Sequence, residues 1–441
     1  GADIPAPRLA LDLISRARTS SREEAFAAED AALAELIMTN ELRASIYAFN
    51  LIQKMGKKVT GAPSAKLARK VSRIGVVGAG LMASQLALLF IRRMKLPVLI
   101  SDIDQERVDK GLNYIHAEID KLVHKGRIDN QSANRLKGLV TGTVDKSQYA
   151  NCDFIIEAVF EEMSVKQKLF SELEEFISPE CILATNTSSL SVENMSKHLK
   201  HPERVVGFHF FNPVALMPLL EVARTPHTTD EVTATAIAVG KELKKTMVIT
   251  KDAPSFVVNR LLTMFWGEVT DAIDEGTPFE IGDKAVAPLG LPMTPFVLFG
   301  LVGPAVALHV SETLHETLGP RFTISENMKN YVSAGIKNFY IKTESGEYVP
   351  DPKVLAMMKQ GNSPSSAEQV RVRALTAIAK EARMMLDEGV VSTPAEIDLC
   401  MMLGAGWPLH LGGILPYLDE SGISESATGS RFHPKGVASL P

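Results

Sequence analysis

Between Ser72 and about Pro254 short β-branched runs alternate with stretches of helical period: RIGVVG, PVLISD, FIIEAVF, CILATNTS, RVVGFHFF and MVIT. That alternation predicts a mostly parallel sheet with helices on both faces. Before it, the apolar positions Leu33, Leu36, Ile37, Leu42, Ile46, Phe49, Leu51 and Ile52 fall at spacings near three and four, so residues 1 to about 70 have helical character. The stretch Gly56 to Lys70 mixes Gly, Pro and Ser with five basic residues and reads as a solvated linker. After Pro254 the strands cease and long helical patterns follow, opening with NRLLTMFWGEVTDAIDEG.

The helical back third carries an internal repeat. Landmarks at Glu275-Gly276, Ile281, Asp283, Gly290 and Pro292 recur at Glu388-Gly389, Ile397, Asp398, Gly406 and Pro408, with an offset of 113 residues at the first pair and 116 at the last. Asn259, at the start of the first copy, has Val372 as its counterpart, which offers no hydrogen-bonding group. Residues 371 to 420 are therefore expected to pack against 254 to 310 and to add nothing to the chemistry, with polar substitutions at Arg371 or Arg373 leaving the rate intact. Two uncharged stretches, Ala285 to Leu308 and Leu399 to Leu418, are long enough to raise a membrane-spanning reading. Their internal prolines and glycines break a lone lipid-facing helix, so buried short helices are expected.

Composition narrows the function classes. With 47 Lys+Arg against 52 Asp+Glu in 441 residues, no basic field exists to drive wholesale nucleic-acid binding. Cys152, Cys181 and Cys400 are not spaced as a metal pair, so neither a disulfide framework nor a metal site is expected, and the cysteine usage fits a reducing compartment; a cytoplasmic setting is expected, an organellar origin staying open. The opening GADIPAPRLALDL lacks a basic flank and a continuous apolar run, so it does not read as a secretory signal, and Gly1 in place of Met reads as a processed boundary.

The sharpest local signal is IGVVGAGLMA, residues 74 to 83, a strand running into Gly78, Gly80 and Ala83 and then a helix. Gly78 permits the tight turn, Gly80 lets a pyrophosphate reach the backbone, and the small Ala83 allows close helix–sheet packing. PVLISD ends in Asp102, 24 residues after Gly78, where a carboxylate would bind the adenosine ribose and repel a 2′-phosphate. NAD is expected rather than NADP. His209, at the end of VVGF, sits where such folds open their ligand crevice, and Glu221 follows the strand-like run MPLL. A carboxylate on one imidazole nitrogen would leave the other free to take a proton. Taken alone, His209 reads as a satisfied core histidine before a catalytic one, and Glu221 equally as a surface acid.

Taken together, GAGLM, EAVFEE with Lys166, NTSSL, HFFNP, EV and FVVNR occur in the order and spacing of the (S)-3-hydroxyacyl-CoA dehydrogenase family, which the chain resembles over residues 73 to about 310. Beyond that it resembles the C-terminal portion of the multifunctional, trifunctional-type fatty-acid β-oxidation enzymes, with a second helical copy, and residues 1 to 70 resemble their connector to an enoyl-CoA hydratase part. The resemblance implies catalytic roles for His209, Glu221, Ser188 and Asn259. It implies a cofactor set of Gly78, Gly80, Leu81, Met82, Asp102, Glu161, Lys166 and Asn186. Thr294, Gly300 and IKNFY at 336 to 340 depart from the family pattern, which touches substrate fit and dimer contacts more than chemistry.

The expected architecture is an α/β Rossmann-like NAD-binding domain at 73–253, two repeated all-α domains at 254–362 and 363–441, and a helical arm and linker at 1–72. The expected activity is NAD-dependent oxidation of (S)-3-hydroxyacyl-CoA to 3-ketoacyl-CoA. An acyl-CoA substrate is implied, with a thiolase subunit or hydratase part of a β-oxidation complex as partner. Two rivals are another two-domain NAD dehydrogenase, which needs no His209 and Glu221 twelve residues apart, and a non-catalytic NAD-binding scaffold, against which the complete catalytic set argues.

Overall fold

The computed structural model of the chain describes residues 4–439, so Gly1 and the boundary read there lie outside the described residues. The backbone gathers into two compact units. Lys54–Val257 with Gly389–Ser392 form one; the residues up to Gln53, Val258–Glu388 and the residues from Thr393 onward form the other. Of the expected 1–72 arm and linker, the part up to Gln53 falls in this second unit with both helical copies, while residues 54–72 fall in the sheet unit.

The first unit is built on an eight-stranded sheet in the order β3-β2-β1-β4-β5-β6-β7-β8. The strands are β1 Ile74–Val77, β2 Val98–Ser101, β3 Val140–Thr143, β4 Phe154–Glu157, β5 Ile182–Thr185, β6 Val205–Phe210, β7 Leu219–Arg224 and β8 Thr246–Lys251. Neighbours run parallel except β6 and β7. Alternate residues point to opposite faces, so Val76, Ile100 and Ile156 enter one core while Val77, Leu99 and Ile155 enter the other. Burial on both faces is why these strands appear as unbroken apolar runs rather than as alternating ones.

Two expectations change here. β3, sequence VTGT, belongs to the sheet although no run in the sequence marked it. The stretch expected as a solvated linker is partly seated: Val59 is buried in the sheet core, and the Arg69 amide donates to Thr235 Oγ1 at 2.9 Å. Its Gly and Pro content indicated a non-helical path, not a free one.

In the helical unit the first copy opens with helix Val258–Asp274 and the second with helix Ala367–Asp387, and these pack on each other. The contact is reciprocal. Arg260 of the first copy reaches Glu381 at 2.6 Å and Glu388 at 2.7 Å, while Arg373 of the second reaches Glu268 at 3.1 Å and Glu275 at 2.6 Å. Each residue in one set is its counterpart in the other shifted by 113 positions. That exchange is the signature of an isologous, two-fold interface, here formed inside one chain.

A second correspondence involves the arm. In the first copy Asp283 accepts from Thr294 Oγ1 at 2.7 Å, the Phe296 amide at 2.9 Å and the Tyr340 hydroxyl. In the second copy Asp398 accepts from the Leu415 amide and His433 Nε2, each at 2.8 Å. Its remaining donor is the hydroxyl of Tyr47, at 2.8 Å, from arm helix Asn40–Lys57. Where the first copy has Thr294, the second has Gly413, at φ +118°, whose added Cβ would lie 2.7 Å from the Asp398 carboxylate. The arm thus supplies the hydroxyl for which the second copy has no room.

The back third is not strand-free: Tyr340–Lys342 and Tyr348–Pro350 form a small antiparallel hairpin. Among the described residues no single helix is long and apolar enough to cross a membrane; one bent pair, Pro295–Val302 and Pro304–Leu318, meets at 103°.

Candidate active site

The parallel strands β1, β2, β4, β5 and β6 end along one edge of the sheet; Gly78, Gly80, Asp102, Glu161, Asn186 and Ser188 follow those ends, and His209, near the end of β6, faces Glu221 in β7. After β1 the chain turns at Gly78, φ +106°, where an added Cβ would lie 2.7 Å from the Ala158 carbonyl oxygen. Gly80 then caps helix Leu81–Arg93, and an added Cβ there would meet nothing within 4 Å. That open side lines a cleft of about 400 Å³ together with Ala79, Leu81, Asp102, Arg107 and Tyr114. Asp102 closes it at the end of β2, accepting from the Ala79 amide at 2.8 Å and the Ile103 amide at 2.7 Å. A glycine turn with an open face, a helix N-terminus and a fixed carboxylate fit a dinucleotide with a free ribose 2′-hydroxyl. Leu81 and Met82 open that helix, Leu81 exposed and Met82 half-buried.

His209 and Glu221 are cross-strand partners in the antiparallel β6–β7 pair. His209 Nδ1 lies 2.7 Å from Glu221 Oε2, and Glu221 Oε1 accepts from the Val257 amide at 3.1 Å. Glu221 is fully buried and His209 is 4 % exposed. A carboxylate at this distance selects the tautomer with its proton on Nδ1 and turns Nε2 into the acceptor. Phe211 and Phe256, with ring centroids 4.5 and 5.6 Å from the imidazole, restrict its rotation.

The loop after β5 holds Asn186 and Ser188. Asn186 Oδ1 accepts from the Phe210 amide at 2.9 Å, which ties this loop to the residue after His209. Ser188 is held by Glu161, whose Oε1 accepts from its amide at 2.8 Å and its hydroxyl at 3.3 Å. Glu161 also accepts from Thr187 Oγ1 at 2.6 Å. Burial acts to raise the Glu161 pKa, but the Lys166 ammonium and the bonds from Thr187 and Ser188 outweigh it and hold the carboxyl below its ordinary value.

Lys166, expected to face the cofactor, is 1 % exposed and gripped by Glu157 Oε1 and Oε2 at 2.8 and 2.9 Å, with Glu161 Oε2 at 3.2 Å. Glu157 opens the EAVFEE run that carries part of the family resemblance, but it was given no role there. A glutamate closing an otherwise apolar strand, FIIE, was the available signal, because a buried charge there demands a partner. Asn259 belongs to the helical unit, in the first turn of helix Val258–Asp274. Among the described residues no group of His, Cys, Asp or Glu could hold a metal ion.

Comparison with known proteins decides the family. The description "3-hydroxyacyl-CoA dehydrogenase, NAD binding domain" matches residues 73–253, and "3-hydroxyacyl-CoA dehydrogenase, C-terminal domain" matches 256–347. The solved structure of FadB2 from M. tuberculosis is 31 % identical, with TM-score 0.57 over 60 % of this chain and 95 % of that one. The chain belongs to the 3-hydroxyacyl-CoA dehydrogenase family. The fatty acid oxidation complex subunit alpha of Idiomarina loihiensis is 33 % identical over 410 residues, 91 % of this chain and 58 % of the relative. The chain thus spans about three fifths of the length of the curated relatives it matches. The Escherichia coli 3-hydroxybutyryl-CoA dehydrogenase structure, 23 % identical, shares the fold at TM-score 0.69 over 84 % of this chain and 98 % of that one.

Proposed function

We propose that the chain catalyses NAD-dependent oxidation of a (S)-3-hydroxyacyl-CoA to the 3-ketoacyl-CoA. The observation that carries this reading is the His209–Glu221 pair, buried at the same sheet edge as the dinucleotide fingerprint. Gly78, Gly80, Leu81, Met82 and Asp102 would hold the pyrophosphate and adenosine ribose of NAD, which would supply the hydride acceptor for C3 of the substrate. His209 Nε2 removes the hydroxyl proton, and Glu221 stabilises the imidazolium that results. Ser188 orients the substrate hydroxyl, and Asn259 supplies an amide for the thioester carbonyl. Glu161, Lys166 and Asn186 shape the loop on which Ser188 stands.

Following NADH absorbance with acetoacetyl-CoA as oxidant tests the activity directly, and absence of turnover would overturn it. Membership of a β-oxidation complex, with a thiolase subunit or hydratase part as partner, is supported by the complex subunits to which the chain is similar. A cytoplasmic setting is proposed on their bacterial source.

Cofactor choice is tested at Asp102. The wild-type chain should bind NAD far more tightly than NADP, because a 2′-phosphate would meet the carboxylate. Asp102→Ser should relax the preference, since Arg107, 3.8 Å from Asp102, and Lys110 line the same cleft and become phosphate partners. Equal titration of both nucleotides by the wild-type chain would refute the assignment.

A further inference from the structure

Lys166 is a buried ammonium shared by two carboxylates. Glu157 holds it with both oxygens, at 2.8 and 2.9 Å, and Glu161 with one, at 3.2 Å. The set has one carboxylate in excess, on a fully buried Glu157 and a Glu161 that is 26 % exposed, and the remaining carboxylate capacity is taken up by protein donors. On Glu157 these are the Thr185 hydroxyl and the Val159 amide. On Glu161 they come from one turn: Thr187 Oγ1, the amides of Ser188 and Ser189, and the hydroxyls of the same two serines, all on Oε1.

The division of labour at Glu161 follows from this. Oε2 faces Lys166 and Oε1 gathers the serine turn, and the carboxylate holds that orientation only while Lys166 is kept back by its stronger bidentate partner. Glu157 is fixed in turn at the end of β4, with its neighbour strand's Thr185 donating to it. Glu157 and Ser188 make no hydrogen bond to each other. They are joined through Lys166 and Glu161.

We propose that Glu157 is a positioning residue for the dehydrogenation step, acting through Lys166 and Glu161 to place the Ser188 hydroxyl; this rests on the proposed role of Ser188. In Glu157→Gln, Lys166 loses its bidentate charge partner and closes on Glu161, which rotates Oε1 away from the turn. The isosteric amide keeps an acceptor for Thr185 or Val159, so the strand end stays filled.

The test measures kcat, NADH affinity by fluorescence and backbone exchange of residues 186 to 190 in Glu157→Gln, Ser188→Ala and the double variant. The expected result is a kcat about tenfold lower in Glu157→Gln with NADH affinity within about twofold of wild type, and a double variant no slower than Ser188→Ala, since one pathway cannot be broken twice. Amides 188 and 189 should exchange about tenfold faster while those of β4 and β5 stay protected. An additive double variant, unchanged turnover in either single variant, or a loss of NADH affinity equal to the loss of kcat would overturn the proposal. If the wild-type chain lacks dehydrogenase activity, the exchange measurement still decides the coupling of Glu157 to the serine turn. Should Glu157→Gln fail to fold, Thr185→Val loosens the same carboxylate while keeping its charge; it should show the same non-additivity with Ser188→Ala.

Discussion

Replacing His209 by Gln should lower turnover by about 10²–10⁴-fold, the usual contribution of a positioned general base, with NAD affinity little changed. Gln keeps a polar side chain at the strand end, and its amide can still donate to Glu221, so the β6–β7 pairing should survive. What it lacks is the basic nitrogen. In the native site Glu221 Oε2 stands 2.7 Å from Nδ1, and Oε1 is anchored by the Val257 amide at 3.1 Å, so the carboxylate cannot swing away when the ring becomes charged. Steady-state rates with acetoacetyl-CoA and a separate NADH titration separate chemistry from cofactor binding. Near-wild-type turnover would sink the assignment of the base.

The second large effect is expected at Arg260, and it differs from that at its counterpart in the repeat. Arg260 is fully buried against Glu381, which is equally buried, and its guanidinium also holds Glu388. Arg260→Met removes the charge and strands Glu381 in the interior with Arg321, at 2.9 Å, as its remaining cation. Loss of one member of a buried pair costs about 3–5 kcal/mol, and the surviving Arg321 contact places this case near about 3 kcal/mol. Melting should fall by roughly 6–12 °C. Arg373→Met, 113 positions on, removes the symmetric pairs, but Arg373 is 34 % exposed and its partner Glu275 43 %. Solvent screening limits that loss to about 0.2–1 kcal/mol. Equal destabilisation by the two substitutions, measured by thermal unfolding, would show that burial does not set the scale at this interface.

That contrast also marks where sequence reading stops. The 113-residue offset is legible in the chain because the landmarks recur in order, whereas the pairing of one helical copy on the other was implied by the family resemblance. That Arg260 and Arg373 exchange partners, and that one exchange is dry and the other wet, is not written in either segment. Arg371 and Arg373 appeared interchangeable as polar helix residues, whereas Arg371 donates to the Ala285 carbonyl oxygen, at 3.3 Å, and Arg373 bridges two glutamates.

By itself the sequence determined those features whose cause is local. The turn at Gly78 and Gly80, the carboxylate ending β2, the apolar runs of the sheet interior and the helical period of the back third each depend on neighbours within a few residues. The family motifs were legible for the same reason, and they marked His209, Glu221, Ser188 and Asn259. The tertiary structure decided what depends on groups far apart in the chain. β3, with Gly142 and two threonines, has too little apolar content to be read as a strand and exists because β2 offers it a parallel edge. Val59 is buried because the sheet core leaves it a place, and Tyr47 serves Asp398 across 351 positions because Gly413 offers no hydroxyl there. Glu157, though part of the EAVFEE run, received no role because a glutamate closing an apolar strand is interpretable only once Lys166 is seen to neutralise it. Conformational preference acts over a few residues, but burial of charge is settled by whichever partner the completed fold brings within hydrogen-bond distance.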